Sequence, residues 1–236
     1  RETWTSDTGK EVALEIYYNK GHEYNLGSMM KALKMGLTYY SANYMEYPHR
    51  QMRILEFPRY ATFAQSFPNT VPYSEGIGFI ARVDSKEKQD YPFFVTAHEL
   101  AHQWWAHVVI GADVQGAVLM SEALAQYSAL SIMEQEYGEV KMGDFLKHEL
   151  SSYINGRSGE SSKEQPLSKV ENQQYIHYNK GSVVMFGLKG YIGEDRVNAA
   201  LKEVIAGYNL SKKEFSTINV NGNDLNMYTI KPANFD

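Results

Sequence analysis

Residues 96–105 read Thr-Ala-His-Glu-Leu-Ala-His-Gln-Trp-Trp, and no other stretch constrains the chain as tightly. On an α-helix, residues four apart are stacked neighbours on one face. His98 and His102 can therefore reach a single metal ion, and Glu99 can point at a water held there. The helix has local support. Pro92 suits a first turn, and Phe93, Phe94, Val95, Ala97, Leu100, Ala101, Trp104 and Trp105 form a broad apolar surface. Such a helix is mostly buried. Two histidines and a glutamate within it need partners, because an unpaired buried charge is costly.

His98-Glu99-x-x-His102 is a zinc-hydrolase pattern. Zinc lowers the pKa of a bound water from about 15.7 to about 7, so Glu99 can take its proton near neutral pH. The chain has no cysteine. Disulfides and thiolate ligands are excluded, and the compartment stays open. A catalytic zinc needs three protein ligands and one open position. His107 fails as the third, since it lies about 140° further round the helix than His102. A metzincin arrangement would need Gly and His where the chain has Trp105 and Val108. Glu122, at the start of the next predicted helix, is the better ligand, with Asp113 in reserve. A glutamate there also suits the helix macrodipole.

The rest of the chain reads as strands first and helices later. Residues 12–18 and 52–57 pattern as strands. Asn25 suits the N-cap of an amphipathic helix running to about Tyr44. The Pro- and Gly-punctuated stretch 66–80 predicts an extended segment leading into a strand near 77–81, and 84–90 a solvated loop. Ser121 could cap a helix from Glu122 to about Tyr137, closed by Gly138. Further helices are expected over about 141–154, from near Gln173, and from Glu194 to Ala206. Residues 155–164 read as a mobile loop, and the polar segment after Lys213 carries no functional signal. No repeats are visible.

His98-Glu99-Leu100-Ala101-His102-Gln103-Trp104-Trp105, with Ser121-Glu122-Ala123-Leu124-Ala125 beyond it, resembles the M1 family of zinc aminopeptidases. The resemblance implies an α+β fold with a thermolysin-like, gluzincin catalytic domain. The order of predicted elements divides the chain into a mixed strand and helix lobe (1–92) and a mainly helical lobe (93–236) that meet at the zinc helix. The family spacing places eighteen residues between the second histidine and the ligand glutamate. Here there are nineteen, with Ser121 at the strict position. Serine is a poor zinc ligand, so the reading places one inserted residue in the Gly111–Gly116 connection. Two more roles come from the resemblance alone. Glu75 in Pro72-Tyr73-Ser74-Glu75-Gly76 takes the place of the family's amine-binding glutamate. Tyr178 in Tyr178-Asn179-Lys180-Gly181 takes that of its oxyanion-stabilising tyrosine, with Tyr175 as rival and His177 structural.

The resulting expectation is a peptidase holding one Zn2+ through His98, His102 and Glu122. Glu99 acts as general base, Tyr178 as oxyanion donor and Glu75 as anchor of a free N-terminus. The alternatives are a thermolysin-like endopeptidase and a zinc-holding peptide-binding domain of a membrane complex. Intact Glu99 argues against the last, since a structural site needs no base. Net charge is −5 with no basic block, which disfavours nucleic acid as a partner. No run of 18 apolar residues is present, so this stretch itself needs no membrane. The chain starts with Arg1 and shows no signal peptide. It reads as a piece of a longer protein, whose similarity to domains fused behind transporter-type membrane segments makes a membrane-anchored parent an expectation. Side-chain preference and compartment are not legible.

Overall fold

The computed structural model describes residues 1–83, 89–208, 214–220 and 223–229. A four-stranded sheet comes first, in the order β1 (Glu2–Thr5), β2 (Glu11–Tyr17), β3 (Gln51–Phe57), β4 (Thr70–Ser74). β1 pairs antiparallel with β2, while β2, β3 and β4 run parallel. Alternate residues Val12, Leu14, Met52, Ile54, Val71 and Tyr73 are buried, and Leu55 on the opposite face is exposed. One covered face is why the strands show period-two alternation despite parallel pairing.

Helix α1 (Leu26–Asn43) covers the inner face with Met29, Leu33, Leu37 and Tyr40. Asn25 stands at its N-cap position but makes no capping bond; its amide donates to the carbonyls of Gly78 and Ala81 instead. The strand expected near 77–81 lies earlier, at β4, where Ile54 and Val71 stand in register. Residues 63–67 fold back along the outer edge of β4 through Ala64–Tyr73 and Phe67–Thr70 bridges.

Helix α2 (Tyr91–Ala101) carries the metal motif. Pro92 lies in its first turn, and Asp90 caps it by accepting from the Phe93 N–H at 3.0 Å. Residues 84–88 of the expected polar loop lie outside the described residues. α2 packs closely on α1, since a Cβ added at Gly36 would stand 2.6 Å from Leu100 Cδ2. The helix ends sooner than its apolar pattern implies. His102 is its C-cap; Trp104 follows in a turn and Trp105 in a bridge to Val109. The tryptophans anchor the end of the motif: Trp104 Nε1 donates to Met45 O at 2.7 Å and Trp105 Nε1 to Ser128 Oγ at 3.0 Å. Tyr40, Tyr44 and Tyr47 pack against the two indoles at centroid distances of 5.2–5.6 Å. The tyrosine richness of the sequence thus has a core role.

Helix α3 (Leu124–Ser158) contains both helices expected between 122 and 154, bent at Gly138, whose φ of 75° interrupts it. Glycine tolerates this conformation. Two readings are corrected here. Ser121 does not cap the helix; its hydroxyl bonds to Val118 O inside a wide π turn, Leu119–Ala123. Residues 155–158, read as loop, are helical. A second π turn, Tyr175–Lys180, leads into α4 (Gly181–Ile192), followed by α5 (Glu194–Tyr208). An antiparallel pair unsignalled in the sequence reading, β5 (Glu214–Val220) and β6 (Asn223–Thr229), comes last. No helix among the described residues is long and apolar enough to cross a membrane.

Candidate metal centre

Helix α2 places the two imidazoles one turn apart on one face, with Nε2 atoms 3.0 Å from each other. Glu122 Oε2 stands 3.2 Å from His98 Nε2 and 3.3 Å from His102 Nε2. Three donors around a zinc at about 2.0–2.2 Å would stand roughly 3.3–3.6 Å apart in a tetrahedron. The triangle lies within a few tenths of an ångström of that. The His102 Nδ1 is paired with the Trp105 carbonyl at 2.9 Å, which keeps its proton on that nitrogen and leaves Nε2 as the donor. The donor set fits zinc. Asp113 is not part of this cluster among the described residues.

The π turn explains how Glu122 gets there. A π turn holds an extra residue relative to α-helical winding. The expectation put the additional residue of the nineteen-residue spacing in the Gly111–Gly116 connection. The structure offers a place for it at Leu119–Ala123, around Glu122 itself.

The electrostatics are those of a buried, mutually coupled cluster. Burial opposes charge on His102, but bonding to Glu122 and the field of Glu122 and Glu99 outweigh it and push it up to about 9. Burial would likewise raise Glu122, yet its bonds to His102 and His98 hold the carboxyl well below the usual range. Glu99 goes the other way. Burial raises it, against the pull of both histidines and of the Ser66 N–H. A carboxyl group of raised pKa is a stronger base.

A cavity of about 450 Å³ opens over the cluster, lined by His98, Glu99, His102, Glu122 and Tyr178 on one side. Phe63, Ala64, Gln65 and Ser66 form another wall. The Tyr178 ring lies 5.9 Å from that of His98. Burial, then Glu122, raises the phenol far above its ordinary pKa, so it stays protonated and able to donate. Tyr175 turns away and bonds to Glu160. His177 is buried beside Tyr178, with its Nδ1 unpartnered. His107 lines the cavity but pairs with Ser66 O at 3.2 Å.

Glu75 is not brought to this cavity. It sits just past β4 with Oε1 3.7 Å from Arg59 Nε and Oε2 3.8 Å from His22 Nδ1. The cavity is lined instead by the edge segment 63–66. Sequence reasoning passed over that segment, and over the group that holds it. Gln103, fully buried, donates to Ser66 Oγ at 2.7 Å and Phe67 O at 2.8 Å and accepts from the Asn69 N–H at 2.7 Å. The available signal was a lone amide inside the apolar run after His102. Such a group must find partners when buried.

Comparison with known proteins follows the same lines. The model of the Peptidase family M1 domain matches residues 24–229. Human endoplasmic reticulum aminopeptidase 2 is 25% identical over 230 residues, 92% of this chain and 23% of its own length. The probable aminopeptidase 1 of Sulfurisphaera tokodaii is 24% identical over 195 residues, 79% of this chain and 24% of its own. This chain thus spans about a quarter of the length of these curated relatives. A crystal structure of an M1 zinc metallopeptidase from Deinococcus radiodurans superposes with a TM-score of 0.63 at 17% identity. It covers 89% of this chain and 44% of that one, and shows the same fold.

Proposed function

The chain belongs to peptidase family M1, and from that premise we propose that it is the catalytic unit of a zinc-dependent aminopeptidase acting on peptides with a free N-terminus. The observation that carries this is the convergence of three ligand atoms, a base and a phenol on one cavity. His98, His102 and Glu122 hold one zinc per chain. When bound, zinc supplies a Lewis acid that acidifies water and polarises a carbonyl. Glu99 takes the proton of the attacking water and passes it to the leaving amine. Tyr178 donates its O–H to the oxygen on which negative charge develops. The wall 63–66 and the body of α2 confine the peptide between them, which fixes the bond in reach of Glu99.

A second reading, cleavage inside peptides, is favoured by one observation. Among the described residues, the acidic side chains lining the cavity are Glu99 and Glu122, and Glu75 stands outside it. The test is mass spectrometry of a mixed pool of free and N-acetylated peptides, with the zinc-loaded chain and its Glu99→Gln variant. Stepwise loss from free N-termini is expected, and about 10²–10⁴-fold less of it in the variant, with zinc retained. Internal cuts in both peptide sets would replace the exopeptidase reading. Equal turnover by the variant would remove Glu99 from the mechanism.

A further inference from the structure

Glu149 on α3 is buried, and the reaction above makes no use of it. Its Oε2 accepts from Asn179 Nδ2 at 2.9 Å and lies 3.2 Å from Ser182 Oγ. The Ser182 hydroxyl also donates to Asn179 O at 2.8 Å. These partners bracket Tyr178: Asn179 is the next residue, and Ser182 lies one helical turn on. The one Ser182 proton serves two acceptors, Asn179 O and Glu149 Oε2, and the Asn179 amide donates to the same carboxyl oxygen. Burial, first of all, raises the Glu149 carboxyl above the ordinary range.

The segment it grips is an unusual one. Tyr178 sits in a π turn, a winding less favourable than the α-helix that persists where surrounding contacts hold it. On the outer side, Tyr175 bonds to Glu160 and Lys180 to Glu164. On the inner side, the Glu149 carboxyl reaches both Asn179 and Ser182. Rewinding 175–180 as an α-helix would turn Asn179 relative to Ser182, which the shared carboxyl oxygen and the Ser182–Asn179 bond oppose.

We propose that Glu149 is a positioning residue for Tyr178: by clamping Asn179 and Ser182 to α3 it fixes the π turn so that the phenol faces the ligand cluster. This rests on the oxyanion role given to Tyr178. A merely structural clamp would lower stability and activity irrespective of the residue at 178, so a double-mutant cycle separates the two.

The experiment uses the zinc-loaded chain with Glu149→Ala and Glu149→Gln, each alone and combined with Tyr178→Phe. Glu149→Ala alone is expected to lower kcat about tenfold or more with KM within about twofold, while adding less than about twofold to Tyr178→Phe. Glu149→Gln keeps an acceptor oxygen for both Asn179 and Ser182, and should retain most activity. In parallel, 3-fluorotyrosine at position 178 should show a displaced or broadened 19F resonance in Glu149→Ala but not in Glu149→Gln. Equal losses in both backgrounds, or an unmoved resonance, would overturn the proposal. If no form of the protein turns over peptide, the activity reading fails instead, and the fluorine resonance alone decides the positioning role.

Discussion

His98, His102 and Glu122 gather around one point, and so do His22, Glu56 and Glu75, around the C-terminal ends of β2, β3 and β4. In each group the possible ligand atoms lie within 4.8 Å of one another. Their surroundings differ. The first has two imidazoles and one carboxylate, and both histidines turn Nε2 inward toward Glu122, with the far side of His102 held by the Trp105 carbonyl. The second has one imidazole between two carboxylates. Its Nδ1 already bonds to Glu56, and Arg59 approaches Glu75. Glu56, whose other oxygen accepts the Asn19 N–H, is committed as well. Two anions there meet two cations, so the group is an ion-pair network closed on itself. Proximity of donors does not make a metal site; uncommitted lone pairs and an unbalanced charge do.

The largest effect that tests this contrast is metal stoichiometry. Titrated with zinc, the chain should take up one equivalent, none in His102→Ala, and still one in His22→Gln. A second equivalent lost with His22 would erase the distinction. Tyr178→Phe comes next. It should keep the zinc but lose about 2.7–4 kcal/mol of transition-state stabilisation, read as a fall in kcat. A smaller loss is expected from Gly181→Ala. A Cβ at Gly181 would stand 2.8 Å from that of Ala123, where the two π turns bearing Glu122 and Tyr178 touch. Overpacking of this kind costs about 1–3 kcal/mol of stability. Because the strain falls between a ligand and the oxyanion donor, kcat should fall as well, measured beside the thermal midpoint.

The contrast also marks what could be read from sequence. His98, Glu99 and His102 were legible because their spacing is local: a helix forces i and i+4 together whatever surrounds it. The strands read over 12–18 and 52–57 and the helix from Leu26 were legible for the same reason, as each buries one face. Glu122 was found by the ligand requirement, but its π turn was not, since i→i+5 winding has no period in the pattern of apolar residues. Glu75 was misplaced relative to the cavity because its position depends on a chain reversal. The segment 63–67 folds outside β4, and its residues 63–66 line the cavity while Glu75 stays outside the lining. Buried polar clamps such as Gln103 and Glu149 depend on partners thirty or more residues away, which a single sequence does not pair.

The smallest effect concerns the closed network itself. The hydrogen bond that His22 donates to Glu56 raises the pKa of His22, with Glu75 adding to it. A folded-state pKa above the unfolded one means that folding takes up a proton here. The stabilisation is fully present below the ordinary histidine value and is lost as pH rises through the raised folded value. His22→Gln removes that contribution. Its thermal midpoint should fall below that of the wild type in mildly acidic buffer, and the gap should close as the pH is raised past the folded value. Salt should shrink the gap too, because the ring is partly exposed. Peptide turnover and zinc content should not change. A gap that widened with pH would mean that the neutral ring is the stabilising form, and the charge balance that sets this cluster apart from the metal centre would have to be redrawn.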